Sequence, residues 1–236
     1  MRANIRISVI IPSLNEEKNI ATTIQSALNG SPFEVVVIDG GSTDKTVKVA
    51  SAFPGTRVML AEKRGRSHQM NLGAKMCTGD VYLFLHADSV LPDGWSSQLK
   101  STINTGDVIG GCYCVRLSNR GFIYRLIGWM INARTLLFKS FSGDQAIFVS
   151  RGVFSTFGGF PDVPLMEDLI IAGKMRKAGK VAIIRKPVTT SARKWEKWGP
   201  VRTIFLMWYL KILFRMGKAP EDLAPYYRDG KFPPFL

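Results

Sequence analysis

The sequence predicts an α/β protein: a mostly parallel central sheet flanked by helices, followed by an amphipathic helix near the C-terminus. Three observations predict it. Short apolar, β-branched runs recur through the first 90 residues and alternate with stretches of helical character, the pattern of successive strand-helix units. Runs such as VYLFL (81–85) are apolar at every position, not at every second one, so the strand is covered on both faces, as in parallel sheets. The runs RISVIIP, EVVVID and VYLFLHA then stop on proline, glycine or polar residues, which places those residues at the carboxyl edge of the sheet, where open α/β sheets bind ligands.

In order, the strand-like runs are RISVIIP (6–12), EVVVID (34–39), RVMLAE (57–62), VYLFLHA (81–87), VIGGCYCVRL (108–117), AIFVS (146–150) and VAIIRKP (181–187). Helical segments are expected over 16–28, 44–53, 67–76 and 95–102. The second half is less regular. RLSNRGF (116–122) reads as a break, and the glycine-rich GGFPDVPLMED (158–168) as a flexible loop able to form the acceptor side of a site. A long helix is expected over 200–216, then a proline-rich, aromatic tail from Pro220.

With 236 residues, 46% hydrophobic and 21% charged, the chain suffices for one large globular domain. A net charge of +14 implies an anionic partner: a nucleotide diphosphate, a nucleic acid or an acidic membrane surface. Nucleic acid fits poorly, because the basic residues are dispersed and the aromatics fall in apolar helices and not on an open strand face. Cys77, Cys112 and Cys114 form no CxxC pair, which suggests neither a disulfide framework nor a zinc site and fits a reducing, cytoplasmic compartment. Arg2 and Arg6 precede an apolar run of only five residues, too short for a signal-peptide core, and no apolar stretch reaches the length of a spanning helix.

Four constellations stand at strand ends. In VIIPSLNEE, Ser13, Asn15 and Glu16 follow Pro12 in the turn before a helix, as helix caps or as pocket residues. In VIDGGSTD, Asp39 ends a strand, and Gly40 and Gly41 let backbone amides approach a ligand. In HAD, preceded by the basic loop EKRGRSHQMN, Asp88 is able to hold a hard cation together with phosphate oxygens, with His86 as ligand or as orienting neighbour; the alternative for Asp88 is a turn cap. In LMEDLIIAGKMRKAGK, Glu167 and Asp168 open a helix, where its positive end favours carboxylates whether or not they do chemistry.

Together and in this order, VIIPSLNE, IDGGSTD, NLGAKMCTGDVYLFLHAD and MED resemble the family 2 glycosyltransferases over about residues 7–186. GRSHQMNLGA, FLHAD and the SARKW to YR ending are similar to a bacterial subgroup of small stand-alone members, some labelled as arsenosugar-biosynthesis transferases. The resemblance implies the GT-A nucleotide-diphospho-sugar transferase fold, Rossmann-like, over 1–193, with a nucleotide-binding half to about 90 and an acceptor half to 193. Residues 194–236 are then a C-terminal helical extension. It implies an inverting enzyme that takes a sugar from a nucleotide-diphosphate donor to an acceptor hydroxyl.

Pro12, Ser13, Asn15, Glu16 and Gly40 would line the nucleotide pocket, with Asp39 on the base and Arg66 on the nucleotide. Asp88 would hold Mg or Mn; the first aspartate of the family's D-x-D is His86 here. Asp168 would be the general base, Glu167 the second choice, and the pair Glu221-Asp222 a rival outside the resemblance. A catalytically inactive nucleotide-sugar or membrane-binding protein is the alternative. Lys211, Arg215 and Lys218 recur at i, i+4 and i+7 on the apolar C-terminal helix. That pattern suits a helix in the interface of an anionic membrane, at its cytoplasmic face and with a lipid acceptor, and equally a core or homodimer-interface helix.

Overall fold

The computed structural model describes residues 5–233; Arg2 and the last three residues of the tail lie outside them. One eight-stranded sheet runs through the molecule in the order β3-β2-β1-β4-β7-β6-β8-β5. Its strands are β1 (Ile7–Ser13), β2 (Glu34–Asp39), β3 (Thr56–Leu60), β4 (Val81–Phe84), β5 (Ser89–Val90), β6 (Val108–Leu117), β7 (Ile147–Ser150) and β8 (Lys180–Thr190). The first four are mutually parallel where they pair. Beyond β4 the sheet mixes: β7 is antiparallel to β4 and β6, β8 is parallel to β6, and β5 is antiparallel to β8. The parallel half is the stretch in which strand and helix alternate in sequence.

Every residue of β1 is buried, because β2 and β4 flank it and helices cover both faces. Ile7, Val9 and Ile11 face one layer with α1 (Ile20–Leu28) and α4 (Trp95–Ile103). Ile10, with Ile38 of β2, faces the other, packed on α3 (Arg66–Met76), α6 (Arg151–Thr156) and α7 (Glu167–Ala178). The short α2 (Thr46–Ser51) follows the Asp39 turn. Helix α1 begins four residues later than its sequence pattern suggests, since the Glu16 N–H donates to Thr46 Oγ1 and the segment before Ile20 stitches two loops together.

The break over 116–122 continues into a 17-residue helix, α5 (Phe122–Phe138). Asn132 on α5 accepts from the Val115 N–H and donates to the Val115 carbonyl, each at 2.8 Å. The amide so satisfies both backbone groups of Val115, next to the irregularity in the β6–β8 pairing. Three helices follow β8 among the described residues: α8 (Arg193–Trp198), α9 (Pro200–Arg215) and α10 (Pro220–Asp229). The expected tail is largely α10: Pro220 occupies the first turn, where no N–H partner is needed, Pro225 lies inside the helix, and Gly230 closes the end in the left-handed region. Leu206, Leu210, Leu213 and Leu223 bury against Leu165 and Met166, the residues just before α7. The C-terminal extension thus braces the start of the helix that carries Glu167 and Asp168. Among the described residues no helix is long and apolar enough to cross a membrane.

Candidate active site

Because β1, β2 and β4 run parallel, Ser13, Asp39 and the His86-Asp88 turn emerge at one edge of the sheet. Two loops there are laced together. The Asn15 N–H donates to Ser42 Oγ, Asn15 Oδ1 accepts from the Thr43 N–H, and Glu17 Oε2 accepts from the Lys45 N–H. Asn15 adopts a left-handed conformation, φ 54°, to make this turn. Gly41 does so as well, φ 88°, one residue after Gly40, whose N–H donates to the Ser13 carbonyl.

Asp39, which the resemblance places on the base, ends β2 at this turn. Its carboxylate is fully buried and accepts from the Gly41 and Ser42 N–H groups and from the Ser13 and Ser42 hydroxyls. These four bonds shape the turn that carries Gly41 and Ser42. Pro12 and Ser13 are buried beside it, while Asn15 is exposed at the rim. Gln69 of α3 donates to the Ser13 and Ile38 carbonyls, fixing the first turn of α3 over both strand ends.

One turn earlier, Arg66 donates to Glu167 Oε1 at 3.2 Å and links the two halves of the cleft. Burial works against the Arg66 charge, but Glu167 and the nearby Asp144 and Asp168 keep its pKa raised. Glu167, 4% exposed, is pushed up by burial and pulled down by Arg66, with a net rise. The loop between α6 and α7 is not the flexible segment its glycines suggest. Lys63 pairs with Asp162 at 2.8 Å, Ser67 donates to the Val163 carbonyl, and the Asn71 amide exchanges two bonds with Phe160.

Asp168 is held by two backbone donors: Gly143 N–H to Oδ2 at 2.9 Å and Leu169 N–H to Oδ1 at 2.7 Å. Beside Gly143 stands Asp144, whose Oδ1 lies 3.0 Å from His86 Nδ1. Burial pushes the Asp144 carboxyl up, yet the His86 hydrogen bond and charge, with Arg66, bring it well below the ordinary carboxylate range. Its side chain nevertheless remains 56% exposed.

The geometry speaks against His86 as a metal ligand. Nδ1 is taken by Asp144, and the buried Nε2 has no hydrogen-bond partner and packs on Gly143, where a Cβ would lie 2.4 Å from it. Asp88 is mostly enclosed, and burial raises its pKa against the pull of His86 and Arg193. The Arg193 guanidinium reaches Asp88 Oδ2 at 3.2 Å and chelates Glu16. Backbone pairing delivers it there: β5 pairs with the end of β8, and the Ser191 N–H donates to the Asp88 carbonyl. Among the described residues no group of three or more His, Cys, Asp or Glu side chains could hold a metal alone. The donor set fits a hard cation that takes one carboxylate, Asp88, and draws its other oxygens from phosphates and water.

The C-terminal extension adds cations. Lys194 Nζ sits 3.6 Å from the centre of the Tyr227 ring, in the fields of Asp144 and Asp88, and burial lowers its pKa to about 8. Lys211 of α9 is likewise lowered to about 8 by burial and by Arg134, with Asp168 and Asp144 opposing. The expected basic stripe is therefore divided: Lys211 turns into the cleft, while Arg215 is exposed. Asp144, Arg193 and Lys194 carry no assignment from sequence, and Lys211 carries only its place on the basic stripe. SARKW was visible as a motif, but nothing in its spacing reveals that its arginine returns to Asp88. Glu221 and Asp222 open α10 as first-turn acids, consistent with a stabilising role there.

Comparison with known proteins agrees with this architecture. The profile described as Glycosyl transferase family 2 matches residues 8–156. A PGL/p-HBAD biosynthesis glycosyltransferase of Mycobacterium tuberculosis is 32% identical over 65% of this chain and 62% of its own length. Dolichol-phosphate mannosyltransferase of Pyrococcus furiosus is 29% identical over 92% of this chain and 65% of its own. The chain thus spans somewhat less than two thirds of these relatives. Among solved structures, Staphylococcus aureus TarS in complex with UDP superposes with a TM-score of 0.65 at 18% identity, covering 79% of this chain and 60% of TarS. The mannosyltransferase PcManGT of Pyrobaculum calidifontis, in complex with GDP-Man and Mn2+, gives 0.64 at 23% identity, covering 96% of this chain and 69% of that one. These structures share the GT-A fold with it, and by its profile match the chain belongs to glycosyl transferase family 2.

Proposed function

We propose that this protein is an inverting glycosyltransferase that moves a sugar from a nucleotide-diphosphate donor to an acceptor hydroxyl, the acceptor being carried on a lipid. The observation that carries this reading is the meeting, in one cleft at the sheet's carboxyl edge, of the Asn15 and Gly41 loops, Asp88 and the doubly hydrogen-bonded Asp168. Family membership supports the transferase class, and a relative named for dolichol phosphate supports a lipid acceptor.

In this reading the laced loops at Asn15 and Gly41 seat the nucleotide, and Arg66, Arg193 and Lys194 set fixed positive charge where the diphosphate departs. Asp168, oriented by the Gly143 and Leu169 amides, takes the acceptor hydroxyl's proton as that oxygen attacks the anomeric carbon. His86 holds Asp144 in place, and Glu167 positions Arg66. A divalent cation, Mg or Mn, held at Asp88 would neutralise charge on the leaving oxygens. Solved structures of the same fold contain Mn2+, which supports that assignment.

The test is a panel of nucleotide sugars offered to the purified protein with and without Mn, reading nucleotide release and direct binding. Binding and turnover that disappear in Asp88→Asn are expected. A protein that binds a donor and never turns it over, with any acceptor extract, is the inactive nucleotide-sugar binder instead.

A further inference from the structure

Helix α5 is apolar on two sides and polar at Arg125, Asn132 and Arg134. Ile127 and Ile131 pack toward Ile204 of α9 and Trp195 of α8, yet Phe122, Leu126, Trp129 and Leu137 point the other way and are exposed, Phe122 by 81%. Helix α9 repeats this. Leu206, Leu210 and Leu213 are buried, while Phe205, Trp208 and Ile212, at spacings of three and four, are each more than half exposed. Two neighbouring helices therefore leave outward apolar stripes that no part of the described chain covers, and an uncovered surface of this kind marks an interaction site.

Beside the α5 stripe lies a cavity of about 650 Å³ between α5 and the β6–β8 ribbon. Arg116, Arg120, Arg125 and Arg185 line it, no acid does, and Trp129 belongs both to its wall and to the exposed stripe. It is separate from the carboxylate cleft, with which it shares no lining residue. A groove lined by four guanidinium groups, with Glu196 reaching it only through Asn119, takes an anion, and an apolar rim continuous with it takes the tails attached to that anion. A second copy of the chain suits it poorly, since a twofold contact through this face would bring like-charged arginines together.

We propose that α5 and α9 form a membrane-docking surface, with the phosphate of an anionic phospholipid seated in the groove of Arg116, Arg120, Arg125 and Arg185. The docking is independent of the donor site and brings the cleft to a lipid surface.

The experiment is flotation of the full chain with phosphatidylcholine vesicles, plain or containing phosphatidylglycerol, at about 50 and 500 mM salt. Size-exclusion light scattering without lipid and donor binding in solution are measured in parallel. The expected result is binding to anionic vesicles only, weakened about tenfold or more by Arg116→Gln with Arg185→Gln, and separately by Phe122→Ser with Trp129→Ser. Donor binding should be unchanged in all, which reports that the variants fold. Millimolar inorganic phosphate should leave the protein on the vesicles. Failure to float, flotation of the arginine variant like wild type, or full displacement by inorganic phosphate overturns the proposal. So does a lipid-free dimer that Phe122→Ser with Trp129→Ser dissolves, which makes the face an interface between copies.

Discussion

Arg193 stands between two carboxylates, chelating Glu16 while its Nη2 lies 3.2 Å from Asp88 Oδ2. Its charge is reinforced first by the Glu16 hydrogen bond, against burial, and then by Asp88. A donor diphosphate arriving at Asp88 meets a guanidinium already in place, whose planar fork suits phosphate oxygens as well as carboxylates. Arg193→Gln should therefore weaken donor binding by about tenfold, the scale of one charge-assisted hydrogen bond. Arg193→Lys should recover only part of that. Calorimetric titration with the donor nucleotide checks it, and unchanged affinity would reduce Arg193 to a clamp on Glu16.

His86 and Asp144 act as one unit. The imidazole touches Asp144 through Nδ1 and is wedged on Gly143 through Nε2, and Gly143 in turn holds Asp168. His86→Ala and Asp144→Asn should each lower turnover, and the double variant should be little worse than the weaker single one, with a coupling of about 1–2 kcal/mol. Gly143→Ala, which drives a methyl into the His86 ring, should mimic them without touching substrate. Single-turnover rates for the four variants decide this; additive losses would separate the two residues.

Lys211 gives a pH dependence with a defined sign. Burial lowers its folded pKa to about 8, below its ordinary value of 10.5. Between these values the unfolded chain binds more protons, so stability rises with pH across that window and is lost as pH falls through about 8. At neutral pH the desolvated ammonium is thus a liability. Lys211→Met should raise the melting temperature at pH 7 by about 3–6 °C, for a gain of about 1–2 kcal/mol, and by less near pH 10. Turnover should fall if the ammonium steadies charge beside Asp168. A melting curve at pH 7 no different from wild type would remove Lys211 from the cleft.

What was legible in sequence follows from how many residues carried each signal. The parallel half was, since Val81 to Leu85 or Glu34 to Asp39 is a run whose burial and strand end reinforce each other. Asp88, Glu167 and Asp168 were located because strand ends and helix starts mark them. Asp144 was not: it sits in a three-residue turn, Gly143–Gln145, with no periodicity around it. The stripe through Lys211, Arg215 and Lys218 was drawn from spacing alone, and spacing fixes a helix face without telling which side the body of the protein fills. Asp39 is visible in sequence by its position at a strand end, while the four donors that surround it, from three other residues, are not.

Asp168 remains the residue on which the reading turns. Its two carboxylate oxygens accept from the Gly143 and Leu169 amides, so the group is held at the opening of α7 with lone pairs left for a hydroxyl. Asp168→Asn keeps the shape, removes the proton acceptor and turns one backbone bond into a clash of donors. Transfer should fall by about two to four orders of magnitude, as for a lost general base, while donor binding survives because the nucleotide loops at Asn15 and Gly41 are untouched. Glu167→Gln acts differently: it loosens the ion pair to Arg66 in a buried position, so it should lower thermal stability and donor affinity more than the chemical step. Parallel donor titration and single-turnover transfer in both variants separate the roles. Wild-type transfer by Asp168→Asn alongside a dead Glu167→Gln would exchange them, and indifference to both would move the base elsewhere in the cleft, with Asp144 the next carboxylate in line.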